Sequence, residues 1–391
     1  MLVACNDSTS FYKEFMKTIY WFLLLLVMGG CKEKYDAPIH IPATGYLVVE
    51  GFINVGNGST DFTLSRATGL DSPYVLPESG AQVTVESDNG DNFPLTEQTD
   101  GKYSIGQLTV DFKRQYRIRI KTDHGKEYLS DFSAPKLTPP IDSVNWKAVD
   151  GGVWIYVTTH DPTDSSRYYQ WKYEETWEYA SAYNSYLEYV GSGQFVSRSS
   201  AHQFHICYKK DISTNIFIGS TAKLSDDLMF EYPLNFISYS TMNKLERKYT
   251  ILVQQNVLTR EWYEWKEKIK KNTEQLGSIF DAQPSDISGN IHSLTNPGEP
   301  VIGYVGCSSV TEKRIFISRD ELPQTYIFTG YEDCLVDTVK DHIQEYFEGA
   351  GVLPISAYYV NGGLAGYLGS TIFCIDCREM GGVLTKPAFW Q

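Results

Sequence analysis

The stretch Ala81-Gln82-Val83-Thr84-Val85-Glu86-Ser87 decides the fold class. Ala81, Val83 and Val85 point one way; Gln82, Thr84 and Glu86 point the other. A period of two puts one face of a strand on a core and the other in water. The alternation returns upstream, where Phe62 and Leu64 interleave with Asp61, Thr63 and Ser65. It returns downstream, where Tyr116, Ile118 and Ile120 interleave with Arg117, Arg119 and Lys121. Turn dipeptides separate the runs: Asn57-Gly58, Asn89-Gly90, Asp100-Gly101 and His124-Gly125. Such pairs supply the positive φ that tight hairpins require, so the spacing predicts an antiparallel β-sandwich over residues 45–135.

The order LVVEGFI, SGAQVTVES, GKYSI, YRIRIKTDHGKEY resembles the Ig-like and transthyretin-like sandwiches of bacterial surfaces. Ala134–Pro140 holds three prolines and closes this domain, because proline cannot donate to a ladder. A larger β-rich domain is expected over 141–391. In it Val153–Thr159, Arg167–Tyr179, Ile251–Val257, Val301–Val305 and Arg314–Ser318 read as strands. One amphipathic helix, Arg260–Leu276, lines up Trp262, Trp265, Ile269 and Leu276 on one side. Thr259 suits its N-cap and Gly277 its C-terminal stop, and the Trp-rich side reads as a packing face.

Towards the N-terminus, the apolar run Ile19–Met28 is preceded by Lys17 and ends in Gly29-Gly30-Cys31. It is too short to span a bilayer as a helix and reads as an export signal. Met28-Gly29-Gly30-Cys31 resembles a bacterial lipobox, in which the cysteine is lipidated, with methionine where leucine is more usual. Residues 1–30 are then a leader and lipoprotein signal peptide. Asp7 and Glu14 fit such a leader poorly, which makes Met16 the better start. Residues 31–44, with Pro38 and Pro42, form a lipid-proximal spacer.

The formal net charge is −14, from 34 Lys+Arg against 48 Asp+Glu, which opposes nucleic acid as a partner. The densest basic stretch, Lys113, Arg114, Arg117, Arg119 and Lys121, is largely the solvent face of one strand. The hydrophobic fraction of 42% and the 28 tyrosines fit packed β-rich cores rather than disorder.

Leu276–Asn290, LGSIFDAQPSDISGN, is followed by Ile291 and then by PVIGYVG at 300–306; the chain ends in CIDCREMGGVLTKPAFW at 374–390. With the strand YYQWKYEETWEY and the helix EWYEWKEKIKKNT, these motifs closely resemble a Bacteroidota lipoprotein family, domain of unknown function 4249. The resemblance implies an outer-membrane lipoprotein, often encoded beside a TonB-dependent receptor. It implies no reaction.

Beyond Cys5 and Cys31, five cysteines remain: Cys207, Cys307, Cys334, Cys374 and Cys377. An odd number leaves at least one outside any intrachain bridge. Cys374-Ile-Asp-Cys377 has neither a second such pair for zinc nor the strand-to-helix context of a redox motif, so structural disulfides are the reading for an oxidising envelope. Cys334 is expected to pair with Cys374 or Cys377; Cys207 is a further disulfide candidate. His202-Gln-Phe-His205-Ile-Cys207 looks like a metal cluster, but on a strand only His205 and Cys207 share a face, too few for a site. No nucleophile elbow, phosphate loop or dinucleotide fingerprint is present, and no catalytic residue, metal or cofactor is assigned.

Asp281, Gln283, Ser285, Asp286 and Asn290 form the densest polar group. They read as a loop held by side-chain–backbone hydrogen bonds, or as an acid/base pair in Asp281 and Asp286. Trp171, Tyr173, Trp177 and Tyr179 share one parity, interrupted by Glu175. Buried, they fill a sandwich core; exposed, they would stack on sugars or anchor a protein. Two functional readings follow. The first is a non-enzymatic accessory or ligand-binding lipoprotein working with a TonB-dependent receptor. The alternative is a surface hydrolase using carboxylates near Asp281 and Asp286.

Overall fold

The computed structural model describes residues 45–68, 74–240, 243–274, 287–349 and 351–390. They are mainly β, as the alternation predicts. The first sandwich packs two five-stranded sheets. One orders Leu47–Gly51, Thr60–Arg66, Lys102–Ile105 and Thr96–Thr99, with Leu76–Pro77 beside Thr60–Arg66. The other orders Ile291–Ser293, Glu127–Ser130, Tyr116–Lys121, Gln82–Ser87 and Asn92–Pro94. The inward parity is the one read from sequence: Phe62, Leu64, Val83, Val85, Ile118 and Ile120 are all buried in one core. On the opposite parity, Arg117 and Arg119 both pair with Glu86, at 2.8 and 2.5 Å. The basic strand face is therefore a cross-strand charge ladder rather than a phosphate patch.

A segment from beyond residue 135 joins the first sandwich. Ile291–Ser293 pairs antiparallel with Glu127–Ser130, and Cys307-Ser308 pairs parallel with Ile53-Asn54. Val301, Val305 and Cys307 fill the first core, so a strap from the second region completes the first sandwich. Within it Glu299 accepts from Tyr128 Oη at 2.8 Å and Lys126 Nζ at 3.0 Å. Val301–Val305, expected as a strand, makes only isolated bridges from Ile302 to Val48 and Ser288. The cause is close approach. Gly303 has φ +149°, and a Cβ there would lie 2.5 Å from the Val49 carbonyl oxygen. At Gly306 a Cβ would lie 2.2 Å from the Trp262 ring, so glycine lets the strap pass beneath the helix.

The second sandwich opposes a three-stranded and a five-stranded sheet. The first orders Ile141–Val149, Gly152–His160 and Leu228–Ser238. The second orders Ile206–Ile212, Tyr168–Ala180, Lys248–Val257 and Val310–Ser318, with Phe217–Ser220 also on Tyr168–Ala180. Four of the expected strands are thus present, each within a residue or a few of its predicted ends. The helix is Arg260–Glu274, capped by Thr259 Oγ1, which accepts from the Trp262 N–H at 3.2 Å. Trp262 is buried, and the helix touches both sandwiches, through Phe52–Trp262 at 5.9 Å and Tyr168–Tyr263 at 5.0 Å. The expected helix end at Leu276 and Gly277 lies outside the described residues.

A smaller unit completes the chain. Asp337–Val339, Val352–Val360 and Gly363–Thr371 form a three-stranded sheet. Against it packs the hairpin Leu187–Gly191/Gln194–Ser197, with Phe195 stacked on Tyr367 at 3.8 Å. Two disulfides attach it: Cys334–Cys374 and Cys207–Cys377. The expected pairing of Cys334 with one member of the C-x-x-C is present. The odd thiol, Cys307, is buried, and burial pushes its pKa up.

Candidate functional site

The residues singled out by sequence fall in three places. Cys31, Asp281, Gln283, Ser285 and Asp286 lie outside the described residues. Asn290 is architectural: its amide donates to the Val305 carbonyl at 3.0 Å and accepts the Val305 N–H at 2.8 Å, mimicking a strand partner for the strap. The His202–Cys207 cluster is not one strand. His202 closes a short 3-10 turn, His205 precedes the strand, and Cys207 is disulfide-bonded. His205 Nδ1 instead meets Ser181 Oγ at 2.8 Å. Among the described residues, no group of three or more His, Cys, Asp or Glu side chains is placed to hold a metal.

The aromatic strand is core: of the two alternatives the buried one holds, and Trp171, Tyr173, Trp177 and Tyr179 are not a ligand or partner surface. Trp171 and Tyr179 have no exposed surface and Trp177 has 5%. Tyr173 is half-buried against Phe217, with ring centroids 5.4 Å apart. Each polar tip has a partner where one is named: Trp171 Nε1 donates to Gln255 Oε1 at 2.8 Å, Trp177 Nε1 to Asn243 Oδ1 at 3.1 Å, and Tyr179 Oη to the Cys377 carbonyl at 2.7 Å. Buried aromatics with satisfied tips are packing elements. Glu175, the interruption, is buried too, with Lys244 Nζ 2.7 Å away.

A second aromatic group lies on the outward face of the opposing sheet, half-buried at Trp154 and Tyr156 and exposed at Phe236. In Gly152–His160, Val153, Ile155 and Val157 enter the core. Their neighbours Trp154 and Tyr156 therefore face outward, because parity alternates. Register sets Trp154 beside Phe236, with ring centroids 5.1 Å apart and Trp154–Tyr156 at 6.4 Å. Phe236 is 41% exposed. Its ring covers Gly152, where a Cβ would come within 2.6 Å of it. Lys147 Nζ lies 5.2 Å from the Tyr156 ring centroid and pairs with Glu231 at 2.5 Å. Three aromatic rings are thus grouped on this face and edged by the Lys147–Glu231 ion pair. The sequence carries a signal for it: in GVWIYV the β-branched residues hold one parity and the aromatics the other, so both faces are apolar.

One titratable group has a thermodynamic consequence. Glu246 Oε1 accepts the Ala180 N–H at 3.3 Å, while Oε2 is buried without a partner. Burial pushes its carboxyl up to about 7 from 4.5. The raised folded-state value means the native state holds the proton longer than the unfolded chain. Stability from this group is full below about pH 4.5 and is lost as pH rises to about 7. Glu246→Gln keeps the acceptor without the charge. It is expected to stabilise the protein by about 2 kcal/mol at pH 8 and to flatten the pH profile. Urea titrations at pH 5 and pH 8 check this; an equal effect at both would refute it.

The family model described as domain of unknown function (DUF4249) matches residues 32–314, which takes in the first sandwich, the strap and the second sandwich up to the middle of Val310–Ser318. The chain end at 374–390 lies beyond the matched residues. No curated protein matches the chain.

Proposed function

The chain belongs to the family described as domain of unknown function (DUF4249), and from that premise we propose a non-enzymatic accessory lipoprotein, tethered to the outer membrane through lipid on Cys31 and docking on a TonB-dependent receptor. The observation that carries the reading is the outward face of Trp154, Tyr156 and Phe236 with its Lys147–Glu231 rim. Aromatic side chains grouped in this way are the usual anchors of protein interfaces. Among the described residues, no helix is long and apolar enough to cross a membrane. A lipid on Cys31 would supply the tether. Confinement to one membrane plane raises the effective concentration of neighbours, so a small aromatic patch suffices for occupancy.

The test is recovery of the receptor with tagged protein from solubilised outer membranes. Wild type should recover it. Trp154→Ala/Phe236→Ala should stay on the membrane, keep its circular-dichroism melt and recover roughly tenfold less or lower still, given about 2 kcal/mol for an aromatic anchor. Cys31→Ser should leave the membrane. Undiminished recovery by the folded double variant would overturn the docking face.

A further inference from the structure

The outward face of the five-stranded sheet carries an aromatic site that is already filled. In Tyr168–Ala180, Lys248–Val257 and Val310–Ser318 the odd-numbered side chains enter the core, so Thr176, Thr250 and Phe316 point away from it. Register sets these three in one row across the strands. Thr176 and Thr250 are nevertheless 2% and 0% exposed. Two small side chains in the middle of an outward face are buried only when something lies on them. Tyr208 and Phe316 stand on the two outer strands, three strand spacings or roughly 14 Å apart. Trp390 sits between their rings, with centroids at 5.2 and 6.0 Å, and is itself buried. The threonines are thus the floor of an indole-sized depression, and the two rings are its walls. Beside it the Phe389 ring lies 3.7 Å from the Arg314 guanidinium.

The segment that brings in these two aromatics is loosely held. Its root is fixed by the Cys207–Cys377 disulfide, and Val383 exchanges two backbone hydrogen bonds with Tyr208, at 2.8 and 2.9 Å. Further on, Leu384, Thr385, Lys386 and Ala388 are exposed. Among the described residues, no hydrogen bond ties 384–389 to the sheet. One indole therefore anchors an exposed run, the kind of segment that opens locally at low cost. The fit is also incomplete. With the segment in place, Thr176 Oγ1 and Arg314 Nη1 are buried without hydrogen-bond partners, which is unfavourable.

We infer that the Thr176–Thr250 depression is a recognition site for an extended peptide with adjacent aromatic residues, which the chain's own Val383–Trp390 segment fills and a competing peptide displaces. Phe389-Trp390 shows the chemistry of the occupant: an indole for the depression and a second ring for Arg314. The Val383–Tyr208 bridge shows its backbone direction, antiparallel along the outer edge of Ile206–Ile212. The segment competes in cis at an effective concentration on the order of millimolar, so a partner enters only by fitting better or by being abundant. The inference stands apart from the receptor-docking face, which lies on the opposing sheet and shares none of these residues.

Fluorescence anisotropy of a labelled Val383–Trp390 peptide against the full chain tests it. The expected result is saturable binding to Trp390→Ala, whose site is open. Wild type, whose site is filled, should bind roughly tenfold more weakly or less. The same peptide with alanine in place of its tryptophan should lose roughly tenfold or more on Trp390→Ala. Adding Trp154→Ala/Phe236→Ala should leave the affinity unchanged, which separates this site from the docking face. Hydrogen exchange on wild type needs no variant. The Val383 amide should exchange roughly a hundredfold faster than the core amides of Lys248–Val257, and faster still with excess peptide. Exchange at Val383 as slow as in that strand means that the segment is a fixed part of the fold, and overturns the inference. No saturable binding to folded Trp390→Ala, or equal binding by wild type or of the alanine peptide, does so as well.

Discussion

Trp171→Ala is expected to destabilise the protein by about 3–5 kcal/mol, a large part of the stability of an ordinary domain. Three losses combine. The indole has no exposed surface and stacks on Tyr232 at 4.5 Å and Tyr169 at 6.0 Å, so its removal opens a cavity at the centre of the second core. Its Nε1 proton leaves Gln255 Oε1 without a donor. Gln255 cannot turn to find another, because its Nε2 is held by the Pro139 carbonyl and Thr159 Oγ1, each at 3.0 Å. A buried acceptor stripped of its donor adds to the cavity term. Equilibrium urea unfolding measures the change. A loss below about 1 kcal/mol would mean that the strand is not the core element described, since core Trp→Ala changes do not stay that small.

Glu175→Ala is expected to lower stability by a comparable amount, about 3–5 kcal/mol, for an electrostatic reason. The Glu175 and Lys244 side chains are 4% and 9% exposed, 2.7 Å apart, and Asn235 Nδ2 donates to the second carboxylate oxygen at 2.9 Å. Lys244 also lies 4.9 Å from the Trp177 ring centroid. Removing the carboxylate leaves the ammonium buried with only Asp211, 3.5 Å away and largely exposed, to answer it. Replacing both partners with apolar groups of similar size removes the stranded charge. The double variant Glu175→Leu/Lys244→Met should therefore fall within about 1 kcal/mol of wild type or exceed it. A double-mutant cycle in urea decides the matter. Additive losses would show that the two charges do not stabilise each other.

How far the sequence carries the fold depends on the range of the interaction. Parity at Val83 and Val85 is local, and both residues lie where alternation puts them. The helix start is local as well, set by Thr259 and its first-turn N–H groups. The strap is not local. Ile291–Ser293 finds Glu127–Ser130 across the whole second sandwich, and nothing in either short run names the other. The disulfides are intermediate. Counting cysteines leaves one over, and the proximity of Cys334 to the C-x-x-C in sequence suggests a bridge. The Cys207–Cys377 partnership needs the three-dimensional fold.

The candidate site shows the same limit in another form. In Tyr168–Ala180 the aromatic parity is plain, but parity alone does not say which face meets the core. Here aromatics enter and Lys172 and Glu174 stay out. In Gly152–His160 the aliphatic residues enter, so the aromatics lie half-buried on the outward face. An apolar residue on each parity makes the two orientations locally equivalent, and the opposing sheet decides between them.

The most direct measurement of the docking proposal is site-specific photo-crosslinking in intact cells. A photoreactive side chain at position 236, within the aromatic face, is compared with one at exposed Lys102 on the first sandwich. The account predicts one adduct from position 236, identified by mass spectrometry as a TonB-dependent receptor, and absent when Trp154 is alanine in the folded protein. Position 102 should not give it. No receptor adduct at 236, or the same adduct from both positions, would contradict the account.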